Sequence, residues 1–228
     1  MVEISKIRIN PRLKIPIILV VVILILDQSL KFWIKTNLRL NDVIPLFGNW
    51  GYILFTENPG MAFGFKFGGE VGKIALTLFR MVAVVGIAWY LVDLAKKNAP
   101  KGLLVCFALI LSGAIGNIID SVFYGVIFNS SSGQIAELFP LEGGYGKILR
   151  GEVVDMFYFP LVEGHYPSWF PFWANESFTF FRPVFNVADS AITMGVIIIL
   201  VFHRNFFKNV ADDSIDLKKE SNTETINI

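Results

Sequence analysis

Phe185-Asn186-Val187-Ala188-Asp189-Ser190-Ala191-Ile192 leads into Thr193-Met194-Gly195-Val196-Ile197-Ile198-Ile199-Leu200-Val201-Phe202, a stretch apolar enough to enter lipid. A carboxylate at the margin of such a stretch is expensive, and marks a functional position by default. Asn186 stands three residues before Asp189, so it reads as an N-cap with a first-turn acid favoured by the helix dipole. That reading alone gives no more than a well-capped helix. Asp155 does not fit it. It lies in Gly151-Glu152-Val153-Val154-Asp155-Met156-Phe157, and its surroundings are apolar and strand-like. Two carboxylates brought within a few ångströms cannot both ionise cheaply, so one pKa rises and the pair holds a single proton. Such a dyad can activate water against an amide carbonyl without a metal or a covalent intermediate.

Composition sets the class. The chain has 228 residues, of which 54% are hydrophobic and 17% charged. A soluble domain of this size carries more charge, so the chain is read as an integral membrane protein. The formal net charge of +1 leaves no basic face for nucleic acid. Cys106 is the single cysteine, which excludes an internal disulfide and any Cys-based metal motif. His165 and His203 stand far apart. No metal or other cofactor is expected.

Four segments qualify as membrane helices, at about 15–33, 74–94, 102–123 and 187–207. Each is close to the ~20 residues that cross ~30 Å of hydrocarbon. A basic start and a short apolar core give the first segment the look of a signal peptide, but no small-residue cleavage site follows, so it is read as a retained anchor. Lys6, Arg8, Arg12 and Lys14 precede it; Lys96, Lys97 and Lys101 link the second and third segments; His203, Arg204 and Lys208 follow the fourth. The positive-inside rule puts all three groups, and both termini, in the cytoplasm. Two large loops, about 34–73 and 124–186, then face outward. The first reads as short strands with tight turns resting on the bilayer surface. The second holds a polar stretch at 129–133 and an aromatic run at 166–173 suited to the headgroup layer. Residues 1–210 are read as one membrane domain and 211–228 as a disordered tail.

Further polar residues interrupt the apolar runs. Asp27 and Lys31, at i, i+4, share a helix face and can pair, although Lys31 alone would snorkel to the interface. Gly113 and Gly116 thin the third helix for close approach of a neighbour. Asn117 and Asp120, at i, i+3, serve either as interhelical glue or as supports of a site. Asn58 and Gly60, in Asn58-Pro59-Gly60-Met61-Ala62-Phe63-Gly64, can bring backbone close to a ligand, with a plain turn as the default. From these residues alone a small proton-coupled carrier or channel subunit, or a structural assembly protein, stays open. The gathering of the acids near the outer ends and the lack of an internal repeat weigh against a transporter.

Five blocks together resemble lipoprotein signal peptidase, the type II signal peptidase of bacteria. They are Asp27-Gln28-Ser29-Leu30-Lys31, Asn58 to Gly64, Gly113 to Asp120, Val153 to Phe157 and Phe185 to Ile192. The resemblance implies a four-helix membrane aspartyl peptidase of the inner membrane, with a helical core and a small periplasmic β-cradle on the membrane surface. It implies diacylglyceryl prolipoprotein substrates held beside membrane lipid and cut just before the lipidated cysteine. Asp155 and Asp189 would be the catalytic pair. Asn117, Asp120 and Asn186 would orient the pair and the substrate, with Asp27, Lys31, Asn58 and Gly60 in support. Cyclic peptide inhibitors of the globomycin type and a monomeric state are expected. The family usually places Arg directly after the third-helix aspartate. Here that position is Ser121, with Arg150 or Arg182 as conceivable substitutes. The stretches between Asp120 and Asp155 and between Asp155 and Asp189 are longer than usual, and are expected to form an outward lid or rim.

Overall fold

A segment that crosses hydrocarbon must satisfy every backbone polar group internally, which makes long apolar runs helical. The computed structural model describes residues 10–48, 50–59, 69–160, 162–165, 167–169, 172, 176–180 and 183–206. After a 3₁₀ turn at Pro11–Leu13, α1 spans Lys14–Asn37 and α2 spans Gly69–Lys96. Helix α3 (Lys101–Ile119) continues through a π turn (Asp120–Tyr124) into one short turn, α4 (Gly125–Ile127). Helix α5 (Val187–Ile198) runs on through a second π turn (Ile199–His203). Four of these stretches, Pro11–Asn37, Gly69–Lys96, Lys101–Ile127 and Val187–Phe206, are long and apolar enough to cross a membrane.

The first two helices run past the ends that hydropathy predicts, by one turn at Lys35–Asn37 and more than one before Ile74. The extra turns are polar, and partners make them tolerable. Lys35 is fully buried and pairs with Glu57. Glu70 pairs with Arg150 at 2.9 Å.

Helices α1, α3 and α5 pack most tightly, because glycines remove side chains at the crossings. A Cβ on Gly113 would lie 2.1 Å from the Ala188 carbonyl oxygen, and one on Gly195 would lie 2.8 Å from that of Cys106. The thinned third helix thus lets α5 approach backbone to backbone, as the sequence predicts. Helix α2 leans on α3 through Leu91, Leu94 and Ala95, which join Leu13, Leu103 and Leu104 in one apolar cluster. At that end Arg12 donates to the Ala99 carbonyl and Asn10 to that of Ala95. Arg12 therefore stands beside the basic α2–α3 link.

The opposite end carries the sheet. Strands β1 (Val43–Phe47), β2 (Gly51–Asn58), β3 (Val153–Tyr158) and β6 (Val184–Phe185) form an antiparallel sheet in the order β1-β2-β3-β6. A separate hairpin pairs β4 (Val162–His165) with β5 (Ser177–Phe180). In β2 burial alternates, with Gly51, Ile53 and Phe55 inward, the period-two pattern of a half-covered sheet. Strand β3 is buried on both faces from Val153 to Met156. The β2–β3 register slips between Ile53↔Phe157 and Thr56↔Asp155, so β2 carries one extra residue beside Asp155. Such bulges re-aim side chains next to sites.

The first insertion, expected as a lid or rim, is tied down along its length. Residue Phe128 is fully buried beside Ile34, Phe55 and Tyr124. The Ala136 N–H donates to the Lys35 carbonyl, Gly146 to Gly125, and Gly151 to Ser121. Polar Ser131 is also fully buried, between Lys35 and Glu57. The insertion is a strap running from α1 and β2 across the end of α3 to α2.

Candidate active site

The site starts from Lys31 on α1. A buried ammonium must spend all three protons, and Lys31 does so, on Asp27 at 2.9 Å, Asp120 at 2.8 Å and the Asn117 amide oxygen at 3.0 Å. Asp27 and Lys31 do pair, and Asp120 is a second carboxylate on the same ammonium. The second Asp27 oxygen accepts the Ala188 N–H at 3.0 Å, at the first turn of α5, where the helix dipole favours an anion. The second Asp120 oxygen accepts from the Gln28 side-chain amide at 2.9 Å, and Tyr124 donates to the Gln28 side-chain oxygen Oε1 at 3.1 Å. Asp120 also accepts the Val154 N–H at 3.2 Å, which fixes β3 against α3. The acids and the base thus tie three helices and the central strand together.

From Asn117 the network reaches the two aspartates. The Asn117 amide donates to Asp189 Oδ1 at 2.8 Å, while its oxygen accepts from the Asn186 amide at 3.1 Å. Asn186 also donates to Asp155 Oδ1 at 2.7 Å. It caps α5 in a reciprocal box: its side-chain oxygen accepts the Asp189 N–H at 2.9 Å, and its own N–H donates to Asp189 Oδ2 at 3.3 Å. Asn186 is fully buried and joins both aspartates directly. From β2, Asn58 donates to Asp155 Oδ2 at 3.2 Å. Asp155 is 3% exposed, whereas Asp189 is half-buried.

Burial, reinforced by the negative charge of Asp189, pushes the Asp155 carboxyl up to about 7. The amides of Asn58 and Asn186 and the charge of Lys31 act in the opposite sense. A carboxyl that keeps its proton near neutrality, beside a more open carboxylate, is the arrangement expected of an acid/base pair.

The structure therefore brings together Asp27, Lys31, Asn58, Asn117, Asp120, Asp155, Asn186 and Asp189. Gly60 lies outside the described residues, as do Arg182 and the tail after Phe206. Among the described residues, no three His, Cys, Asp or Glu side chains are grouped to hold a metal ion. Ser121 is 2% exposed and donates to the Asn117 carbonyl at 2.9 Å, so its position is filled. Arg150 is engaged by Glu70 on the rim of an open cavity of about 630 Å³ that Glu57, Pro59, Lys73 and Glu152 also line. Sequence reasoning gave no role to Gln28 or Tyr124, nor to Arg80, a lone cation inside the second apolar run. The rule that singled out Asp27 and Lys31 would have found Arg80 as well.

Known proteins resemble this chain in sequence and in fold. The family model for signal peptidase (SPase) II matches residues 19–205. The lipoprotein signal peptidase of Porphyromonas gingivalis is 51% identical over 195 residues, covering 84% of this chain and 83% of its own. That of Amoebophilus asiaticus is 41% identical over 184 residues, covering 79% and 73%. A solved bacterial membrane enzyme shares the fold, with a TM-score of 0.54 at 24% identity over 87% of this chain and 90% of that one.

Proposed function

The chain belongs to the signal peptidase II family, and on that premise we propose that it is a multi-pass membrane protease that removes signal peptides from prolipoproteins, with Asp155 and Asp189 as its aspartyl dyad. The observation that carries the dyad is Asn186. One buried residue hydrogen-bonds to both carboxylates through its amide and its backbone N–H.

In this reading Asp155 enters the reaction protonated and Asp189 ionised. Asp189 takes a proton from a water molecule as the water oxygen attacks the scissile carbonyl. Asp155 gives its proton to the carbonyl oxygen. Collapse of the tetrahedral intermediate returns that proton to Asp155, breaks the C–N bond, and passes the proton on Asp189 to the leaving amine. Asn117 and Asn186 hold the two carboxylates in register, and Asn58 fixes Asp155 from the sheet. Asp27, Lys31 and Asp120 brace the helices that carry them, and Gly60 is kept as a support of the substrate backbone. The cut falls just before a cysteine bearing diacylglycerol, whose chains lie in membrane lipid between helices. The basic groups gathered at Arg12, Lys96 and Lys101 support cytoplasmic termini, with the sheet and the site at the outer leaflet. A monomer sensitive to globomycin-type cyclic peptides belongs to the same proposal.

The direct test is a synthetic diacylglyceryl prolipopeptide in detergent with the purified chain. Mass analysis is expected to show one cut, immediately before the modified cysteine, and none in the same peptide without lipid. Equal cleavage of both peptides, or a cut elsewhere, overturns the substrate assignment.

The pH dependence follows from Asp155. Its folded value of about 7 stands above the ordinary 3.8. Between these values the folded chain keeps a proton that the unfolded chain releases, so this group's contribution to stability is full below the lower value and lost as pH rises through the higher one. The same proton is needed for catalysis. Hence kcat/KM is expected to decline on the alkaline side with an apparent pKa near 7 belonging to the pair. A profile flat from about pH 6 to 9 would contradict the assignment of Asp155 as the acid.

A further inference from the structure

We propose that the insertion after α3 is a membrane anchor, with Phe139, Leu141 and Ile148 entering the lipid leaflet at the sheet end of the helices. This rests on reading the apolar helices as membrane spans, and not on the dyad.

The depth of the insertion is set by its backbone. Its N–H groups bond to carbonyls in the last turns of the third span: Leu149 to Val122 at 3.2 Å, Gly151 to Ser121 at 2.9 Å, Gly146 to Gly125 at 2.7 Å and Phe139 to Ile127 at 2.7 Å. Glycines allow the close approach. A Cβ on Gly144 would lie 2.2 Å from the Gly125 carbonyl oxygen, and one on Gly151 would lie 2.0 Å from that of Asp120. Phe139 and Leu149 hold left-handed backbone, at φ 53° and 68°, which is unfavourable to any residue with a Cβ. Both do so where their N–H groups meet the third span.

That span supplies the ruler. Lys101–Ile127 has 27 residues, which rise about 40 Å as a helix and so match a bilayer with its headgroups rather than its hydrocarbon alone. With Lys101 at one surface, Val122 stands near the far edge of the hydrocarbon and Ile127 in the far headgroup layer. Ile148, next to Leu149, shares the depth of Val122, and Phe139 that of Ile127. Non-helical backbone is tolerable there because its polar groups are satisfied within the protein.

The side chains suit this place. Leu141 is completely exposed at the tip of a turn closed by the Gly143 N–H on the Pro140 carbonyl at 3.0 Å. Phe139 and Ile148 are 71% and 62% exposed. Phe123 and Val126 are also exposed on the last turns of the span itself, so the lipid-facing apolar surface continues onto the insertion. Exposed Lys147 precedes Ile148, and a lysine there can lay its stem on apolar surface and reach a lipid phosphate. The anchor acts on the π turn that begins at Asp120, whose Ser121 and Val122 carbonyls it bonds.

The test uses the full-length chain in vesicles of phosphatidylethanolamine and phosphatidylglycerol, in a Cys106→Ala background. Phe139→Cys, Leu141→Cys and Ile148→Cys each carry a nitroxide label. Ser132→Cys, on the polar stretch of the insertion, is the label expected in water, and Val85→Cys, on the exposed face of α2, is the label expected in hydrocarbon. Collision with oxygen relative to a water-soluble nickel chelate is read at each position. The three labels are expected to show a ratio several-fold above that of Ser132→Cys and towards that of Val85→Cys. Leu141→Cys, at the open tip of the turn, carries the test if Phe139→Cys does not fold. Ratios no higher than that of Ser132→Cys overturn the proposal and leave the insertion in water. Labels shielded from both reagents also overturn it, and mean that a protein surface covers the patch. A Val85→Cys label that favours the chelate means instead that the membrane reading of the helices has failed.

Discussion

Asp155→Asn and Asp189→Asn are each expected to lower kcat by about 10³-fold or more, the scale on which positioned acids and bases act, while leaving the protein folded. Asn matches Asp in shape, so the backbone hydrogen bonds around the site persist. Asp155→Asn keeps an oxygen to accept from Asn186 or Asn58 but has no proton to give the carbonyl oxygen. Asp189→Asn keeps an oxygen for the Asn117 amide but cannot take a proton from water. The check is prolipopeptide cleavage beside thermal unfolding in the same detergent. Near-normal turnover in either variant, with an unchanged unfolding temperature, removes the dyad from the mechanism.

Lys31→Met is expected to have the largest effect on stability, a loss of about 3–5 kcal/mol, because it leaves Asp27 and Asp120 buried without their shared cation. Methionine fills the volume but supplies none of the three donated protons. A second change separates this cause from simple repacking. Asp120→Asn in the Lys31→Met background removes one of the stranded charges and is expected to recover part of the loss. Thermal unfolding of the single and double variants decides. No recovery in the double variant would mean that packing at α1, not charge, sets the stability here.

Much of this site was legible in the chain because membrane sequence makes polar residues conspicuous. Asp27, Lys31, Asn117, Asp120, Asn186 and Asp189 each interrupt or border an apolar run, and all lie in one network. Short strands with tight turns in the first outer loop followed from aromatic and apolar residues punctuated by Gly and Pro, whereas their bounds at 43–47 and 51–58 and their pairing came only with the structure. Other features depend on partners distant along the chain. The Ser/Gly stretch reads as solvent-facing, yet Ser131 is buried by Lys35 and Glu57, which come from α1 and β2. The ends of α1 and α2 were hidden for the same reason, since charged residues look like termini until their counter-charges are known.

The capping box at Asn186 carries a consequence for anyone seeking a sturdier variant. Asp, Ser and Thr begin helices about as well as Asn, so by that criterion residue 186 looks freely exchangeable. None of them supplies an amide NH₂ to Asp155 and Asn117 while its oxygen receives the Asp189 N–H. Durability and turnover are therefore encoded in the same few atoms, and attempts to improve one at this position draw on the other.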